Sequence, residues 1–168
     1  IAGFKHAEAA ITYSSGYATN LSVVSTLMGR GDYVLSDKLN HASIVDGCLM
    51  SGAEFRRFRQ NDMAHLETML QNVPEGAAKM VIADSVFSMD GDIIDLPKVI
   101  ELTKKYKAWL MIDEAHSVGV LGKRGTGIEE HFGLGDVIDI KMGTLSKTIP
   151  SVGGYVAASE DIITYLRH

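Results

Sequence analysis

The stretch Trp109-Leu110-Met111-Ile112-Asp113-Glu114-Ala115-His116-Ser117 sets four apolar residues directly before a carboxylate, a second acid and a histidine. A short apolar run that stops at polar residues reads as a buried strand with its carboxyl end exposed to a ligand. A carboxylate at the end of such a run is costly unless a cationic or hydrogen-bonding partner meets it. Outward from this stretch the same pattern repeats. Apolar runs at Tyr33-Val34-Leu35, Glu54 to Phe58, Met80 to Ala83, Val137 to Met142 and Gly154 to Ala157 read as strands, with Glu54 to Phe58 nearer an edge because its character alternates. Between them lie helical segments at Ala18 to Met28, Ala42 to Ser51, Met63 to Leu70 and Leu96 to Tyr106, the last capped by Asp95 with Pro97 in its first turn. This alternation predicts an α/β fold, a mostly parallel central sheet flanked by helices.

Composition bounds the function. The 168 residues, 46% of them hydrophobic, suffice for one sizeable core, and the net charge of -5 gives no reason to expect a nucleic-acid or anionic-membrane partner. The single cysteine, Cys48, cannot form an internal disulfide, and its apolar neighbours suit a packed thiol. No run approaches the roughly 20 apolar residues that span a bilayer. The expectation is a soluble, cytoplasmic protein. The chain opens on Ile1-Ala2-Gly3 and stops in the helix-like Glu160 to Leu166, so we expect a piece of a larger protein, with no internal domain boundary.

The residues after each apolar run carry the chemistry. They include Asn40-His41-Ala42-Ser43, Asp84-Ser85-Val86-Phe87-Ser88, Asp113 to Ser117 and Gly143-Thr144-Leu145-Ser146-Lys147. A lysine beside threonine and serine at a strand end suits an aldehyde-bearing phosphate cofactor, because the amine forms a Schiff base while hydroxyls and backbone N–H groups bind phosphate. An aspartate at the end of a buried strand suits the cationic ring nitrogen of the same cofactor. Taken singly, Lys147 reads as a surface lysine, His41 as a helix-entry residue, His116 as a satisfied loop histidine, and Ser88 and Thr144 as turn hydroxyls. Their joint order decides otherwise.

Leu39-Asn40-His41-Ala42-Ser43, Val86-Phe87-Ser88-Met89-Asp90-Gly91-Asp92, Asp113-Glu114-Ala115-His116-Ser117-Val118-Gly119, Gly143-Thr144-Leu145-Ser146-Lys147 and Val152-Gly153-Gly154-Tyr155 resemble the α-oxoamine synthases, a family that uses pyridoxal 5'-phosphate (PLP). The resemblance covers nearly the whole chain, in order. It implies the large domain of a fold type I PLP enzyme over residues 1–168, with an N-terminal arm and a C-terminal small domain lying outside. Lys147 is then the Schiff-base lysine and the group that moves the substrate Cα proton. Asp113 pairs with the pyridine nitrogen, His116 and Ser88 meet the phenolic oxygen, and His41 stacks on the ring. Thr144, Ser146 and the backbone of Gly16 and Tyr17 bind phosphate or support the lysine. No metal site is implied.

The implied reaction condenses an amino acid with an acyl thioester on coenzyme A or an acyl carrier protein, usually with decarboxylation. The implied assembly is a homodimer, and the isolated piece is expected to be inactive. Gln60 stands where many relatives carry histidine, and Pro150 follows the lysine where small residues are common.

Three other readings compete. Asp113-Glu114-Ala115-His116 spells a helicase signature, but the P-loop this requires is absent: Ser117 to Arg124 lacks the first glycine and follows the acidic motif. A PLP aminotransferase or lyase keeps the fold and changes the chemistry. A cofactor-free binding module conflicts with the intact lysine.

Overall fold

The computed structural model describes residues 1–168. The first half runs α1 (Ala2–Lys5), β1 (Ala9–Tyr13), α2 (Gly16–Leu27), β2 (Tyr33–Asp37), α3 (Ala42–Ser51), β3 (Glu54–Phe58) and α4 (Met63–Gln71). The second runs β4 (Lys79–Asp84), α5 (Leu96–Tyr106), β5 (Trp109–Asp113), α6 (Ile128–His131), β6 (Ile140–Thr144), β7 (Gly154–Ala158) and α7 (Glu160–Arg167). All seven strands join one sheet in the order β1-β7-β6-β5-β4-β2-β3. β7 runs antiparallel to β1 and β6, and the remaining pairs are parallel.

Side chains alternate across each strand, so every strand feeds two layers. Val34, Met80, Ile82, Met111 and Met142 turn to one face, where they pack with Val23 and Val24 of α2, Met28 just after it, and Ile44 and Cys48 of α3. Leu35, Val81, Ala83, Leu110 and Ile112 turn to the other, where Leu66 and Leu70 of α4 and Val99 of α5 cover them. The runs at β4 and β5 are apolar throughout because both of their faces are covered. β3 forms one edge, in keeping with its mixed character. Cys48 is buried and free, and burial pushes its thiol up to about 12, which suits packing and not nucleophilic attack.

Helix ends follow local chemistry. Asp95 accepts the Lys98 N–H at 3.2 Å, Asp62 accepts that of His65 at 2.9 Å, and Ser15 accepts that of Ala18 at 3.0 Å. Two departures from the sequence reading stand out. The expected strand over Val137 to Met142 starts only at Ile140 and runs on to Thr144. The N–H groups of Val137 and Ile138 bond Glu129 Oε1 at 2.9 and 3.0 Å, and the Asp139 carboxylate accepts the Leu110 N–H at 2.8 Å, so this stretch is held by side chains. The strand at Ala9–Tyr13 was not anticipated; it pairs with β7, roughly the full length of the chain away.

Candidate active site

The carboxyl ends of β2, β4, β5 and β6 open on one cleft with a cavity volume of about 230 Å³. Its floor is buried and polar. Asp113 and Asp84 end adjacent parallel strands in direct register, and both follow the side-chain parity of Met111 and Ile82 toward α2 and α3. Asn20, one turn into α2, donates from Nδ2 to Asp113 Oδ2 at 2.8 Å and to Ser43 Oγ at 2.9 Å. Ser43 Oγ in turn lies 2.8 Å from His41 Nδ1, which also accepts the Ser43 N–H at 3.2 Å. A continuous chain of hydrogen bonds therefore links the rim histidine to the floor carboxylate. Gly47 makes it achievable: a Cβ there would stand 2.9 Å from the Asn20 carbonyl oxygen, so only a bare backbone lets α3 come this close to α2.

The rim carries the reactive groups. Lys147, in the loop after β6, places Nζ 2.8 Å from His116 Nε2, in the loop after β5. Burial pushes the His116 pKa down, the Lys147 charge adds to this, and the Asp113 charge opposes it, leaving it below the ordinary value. The neutral ring can accept a hydrogen bond from Lys147 Nζ. At the opposite end, Gly16 and Tyr17 open α2, whose first-turn N–H groups have no intrahelical acceptor. A Cβ on Gly16 would sit 3.3 Å from Thr144 Oγ1, so its absence leaves backbone N–H groups and that hydroxyl on one surface. Thr144 Oγ1 lies 2.9 Å from Ser146 Oγ and donates to the Gly153 carbonyl at 3.1 Å, which fixes it to the turn leading into β7.

Eight of the residues nominated from sequence line this one cleft: Gly16, Tyr17, His41, Asp113, His116, Thr144, Ser146 and Lys147. Ser88 does not line it; it is exposed in the turn after β4. Asn20, Ser43 and Asp84 line it without having been nominated. Asn20 left one local sign, a residue of low helix propensity that is nonetheless buried inside a helix.

The donor set fits PLP. It offers a buried carboxylate for a cationic ring nitrogen, an amine for an aldehyde, and a helix N-terminus with two hydroxyls for a phosphate. Gly16 lets the α2 N-terminus approach Thr144 at the rim, and Gly47 lets α3 approach the Asn20 that holds the floor.

Comparison with known proteins agrees with this arrangement. The family model of class I and II aminotransferases matches residues 1–168. An 8-amino-7-oxononanoate synthase of Exiguobacterium sibiricum is 49% identical over 168 residues, which make up 100% of this chain and 43% of that protein. A serine palmitoyltransferase of Sphingobacterium spiritivorum is 46% identical over 161 residues, 96% of this chain and 40% of that protein. Among solved structures, a serine palmitoyltransferase from S. paucimobilis with a bound PLP–myriocin aldimine superposes with a TM-score of 0.94. It is 41% identical and covers 98% of this chain, which spans 43% of that one. The architecture is that of the fold type I PLP-dependent transferases. The chain spans about two fifths of the length of the curated relatives it matches. It belongs to the class I and II aminotransferase family, in the α-oxoamine synthase branch that includes the 8-amino-7-oxononanoate synthases and serine palmitoyltransferases.

Proposed function

We propose that the protein carrying this chain is a PLP-dependent acyltransferase that condenses an amino acid with an acyl thioester, usually with loss of CO2, to give an α-oxoamine. The observation that carries the reading is the Lys147 Nζ to His116 Nε2 hydrogen bond, 2.8 Å long, over a floor that holds Asp113. When bound, the cofactor supplies an electron sink for charge developing at the amino acid's Cα.

The chain's residues supply the rest. Lys147 would hold the cofactor's aldehyde through Nζ and would serve as the base that moves the amino acid's Cα proton. His116, held neutral, accepts a hydrogen bond from Lys147 Nζ and so fixes the position of that side chain over the cleft. Asp113, already hydrogen-bonded by Asn20 and by the Ala115 N–H at 2.9 Å, would be the carboxylate partner of the cofactor's ring nitrogen. The α2 N-terminus, Thr144 and Ser146 would anchor the phosphate, and His41 is the rim side chain that would cover the ring. Ser88 enters this reading by resemblance alone. The same reading extends to a cytoplasmic homodimer, with coenzyme A or an acyl carrier protein bearing the acyl group. Such a dimer gives the exposed Leu49, Met50 and Val152 an apolar surface to meet. No helix is long and apolar enough to cross a membrane.

The test is spectroscopic and then chemical. With PLP, the protein is expected to absorb near about 420 nm, the region of a protonated Schiff base to this cofactor, and Lys147→Ala is expected to remove the band. Wild-type protein that never takes up PLP would overturn the proposal. Incubation with amino acids and acyl thioesters should release free thiol; release of a keto acid alone would favour the aminotransferase reading.

A further inference from the structure

Two buried aspartates end neighbouring strands in the cleft, and the reading above uses only one. Asp84 and Asp113 are register partners on the parallel pair β4 and β5, so their backbones lie about 4.8 Å apart with both side chains on the same face. They are 4% and 6% exposed. Two carboxylates this close, this far from water, cannot both carry charge cheaply.

Their hydrogen bonds are unequal. Asp113 accepts from Asn20 Nδ2 at 2.8 Å and from the Ala115 N–H at 2.9 Å, one on each oxygen. Asp84 accepts a single N–H, from His41 at 3.2 Å on Oδ2, and its buried Oδ1 has no partner. Donors stabilise the charged form of the carboxyl that receives them, so the asymmetry places the negative charge on Asp113.

The other charges that face Asp84 are Asp37 at the end of β2 and Lys147 from the loop after β6, with His41 at the start of α3 and His116 after β5 completing the surroundings. Asp37 pushes in the same direction as Asp113, and the His41 N–H bond and then the Lys147 charge oppose them.

We propose that Asp84 and Asp113 share one proton, that Asp84 carries it, and that Asp84 is a positioning residue which leaves Asp113 the single anion available to the cofactor's ring nitrogen. The inference rests on the PLP reading for its purpose, but the carboxyl pair is a property of the chain itself. Burial first, and then the Asp113 charge, push Asp84 up to about 8, consistent with the geometry.

The sign of the pH effect follows. A carboxyl that keeps its proton on folding binds protons more tightly folded than unfolded. Its contribution to stability is complete below the unfolded value near 3.8 and declines as pH rises toward about 8. One such group changes the folding constant by up to about tenfold per pH unit within that window.

The experiment compares wild-type protein, Asp84→Asn and Asp113→Asn. Asparagine is isosteric, still accepts the His41 N–H and mimics the protonated acid. In thermal unfolding of cofactor-free protein from pH 5 to 8, Asp84→Asn is expected to flatten part of the wild-type decline. Infrared difference spectra at pH 7 should show a protonated-carboxyl stretch in the wild type that Asp84→Asn removes. In PLP titrations, Asp113→Asn should weaken uptake at least about tenfold, from the loss of a buried charge partner, and Asp84→Asn far less. Equal slopes in the first measurement, no such band in the second, or the reverse order of affinities would each overturn the proposal. If the wild type takes up no PLP, the function reading fails while the first two measurements still decide the carboxyl pair.

Discussion

His116 sits between Lys147 and Asp113, and its neutral form is the one that can accept a hydrogen bond from Lys147 Nζ. The ring is partly buried, and burial together with the Lys147 charge outweighs the pull of Asp113. Because its pKa is lower folded than unfolded, His116 contributes stability that is full above the ordinary value of 6.5 and is lost as pH falls below it. His116→Gln is therefore expected to flatten the acid limb of a stability profile measured by thermal unfolding between pH 6.5 and 5. A limb unchanged by the substitution would mean that His116 is not held neutral. At this scale the sequence was informative where function sits at a strand end. Lys147, Asp113 and His116 each follow an apolar run, and that position can be read locally. Asp84 also follows such a run, yet its meaning comes from standing in register with Asp113, which no single strand reveals. Asn20 and Ser43 were illegible because each matters only through a partner on another element.

The element that does most for the cleft is α2, whose first turn meets Thr144 and whose second supplies Asn20. Ser15 caps it through Oγ to the Ala18 N–H at 3.0 Å, and Thr19 Oγ1 returns a bond to the Ser15 carbonyl at 2.8 Å. Ser15→Ala is expected to cost about 1 kcal/mol, read from the midpoint of urea unfolding. It should also weaken PLP binding, since the uncapped turn is the proposed phosphate site. An unchanged midpoint would show that the Thr19 contact holds the turn by itself. Helices were legible where caps and periodicity agree, and α3 and α5 begin and end where the sequence placed them. The start of β6 was misplaced because Glu129 captures the N–H groups of Val137 and Ile138. β1 was missed because Ala9–Tyr13 becomes a strand only by pairing with β7, and α6 because four residues carry too little periodicity to read.

Across the whole molecule, an ionic network joins the N-terminal helix to the cleft. Lys5 of α1 pairs with Glu114, the residue after Asp113, and also donates to the Thr126 carbonyl; Glu114 accepts the Ile128 N–H at 2.9 Å. Lys141 of β6 bonds Glu129 at 2.9 Å, Asp136 at 2.5 Å and the Lys5 carbonyl at 3.0 Å. Lys5 is 2% exposed and Glu114 fully buried, so removing either charge strands the other. Lys5→Met is expected to destabilise the fold by about 3–5 kcal/mol in urea unfolding, and Lys5→Met with Glu114→Gln to recover part of the loss. A single variant as stable as wild type would show that the pair is dispensable. Nothing in the sequence near Lys5 marks it as buried, because its partners lie more than 100 residues away.

The sequence by itself determined which residues end strands and which helices follow them, since apolar runs, caps and the polar residues after each run are short-range properties. It also carried the motifs that resemble the α-oxoamine synthases. The tertiary structure alone decided the strand order, which brings Asp84 beside Asp113 and sets Asn20, 93 residues from Asp113, beneath it. Such pairings depend on packing between distant segments: the gap that Gly47 leaves between α2 and α3, and the register of two parallel strands, exist only once the chain has closed on itself.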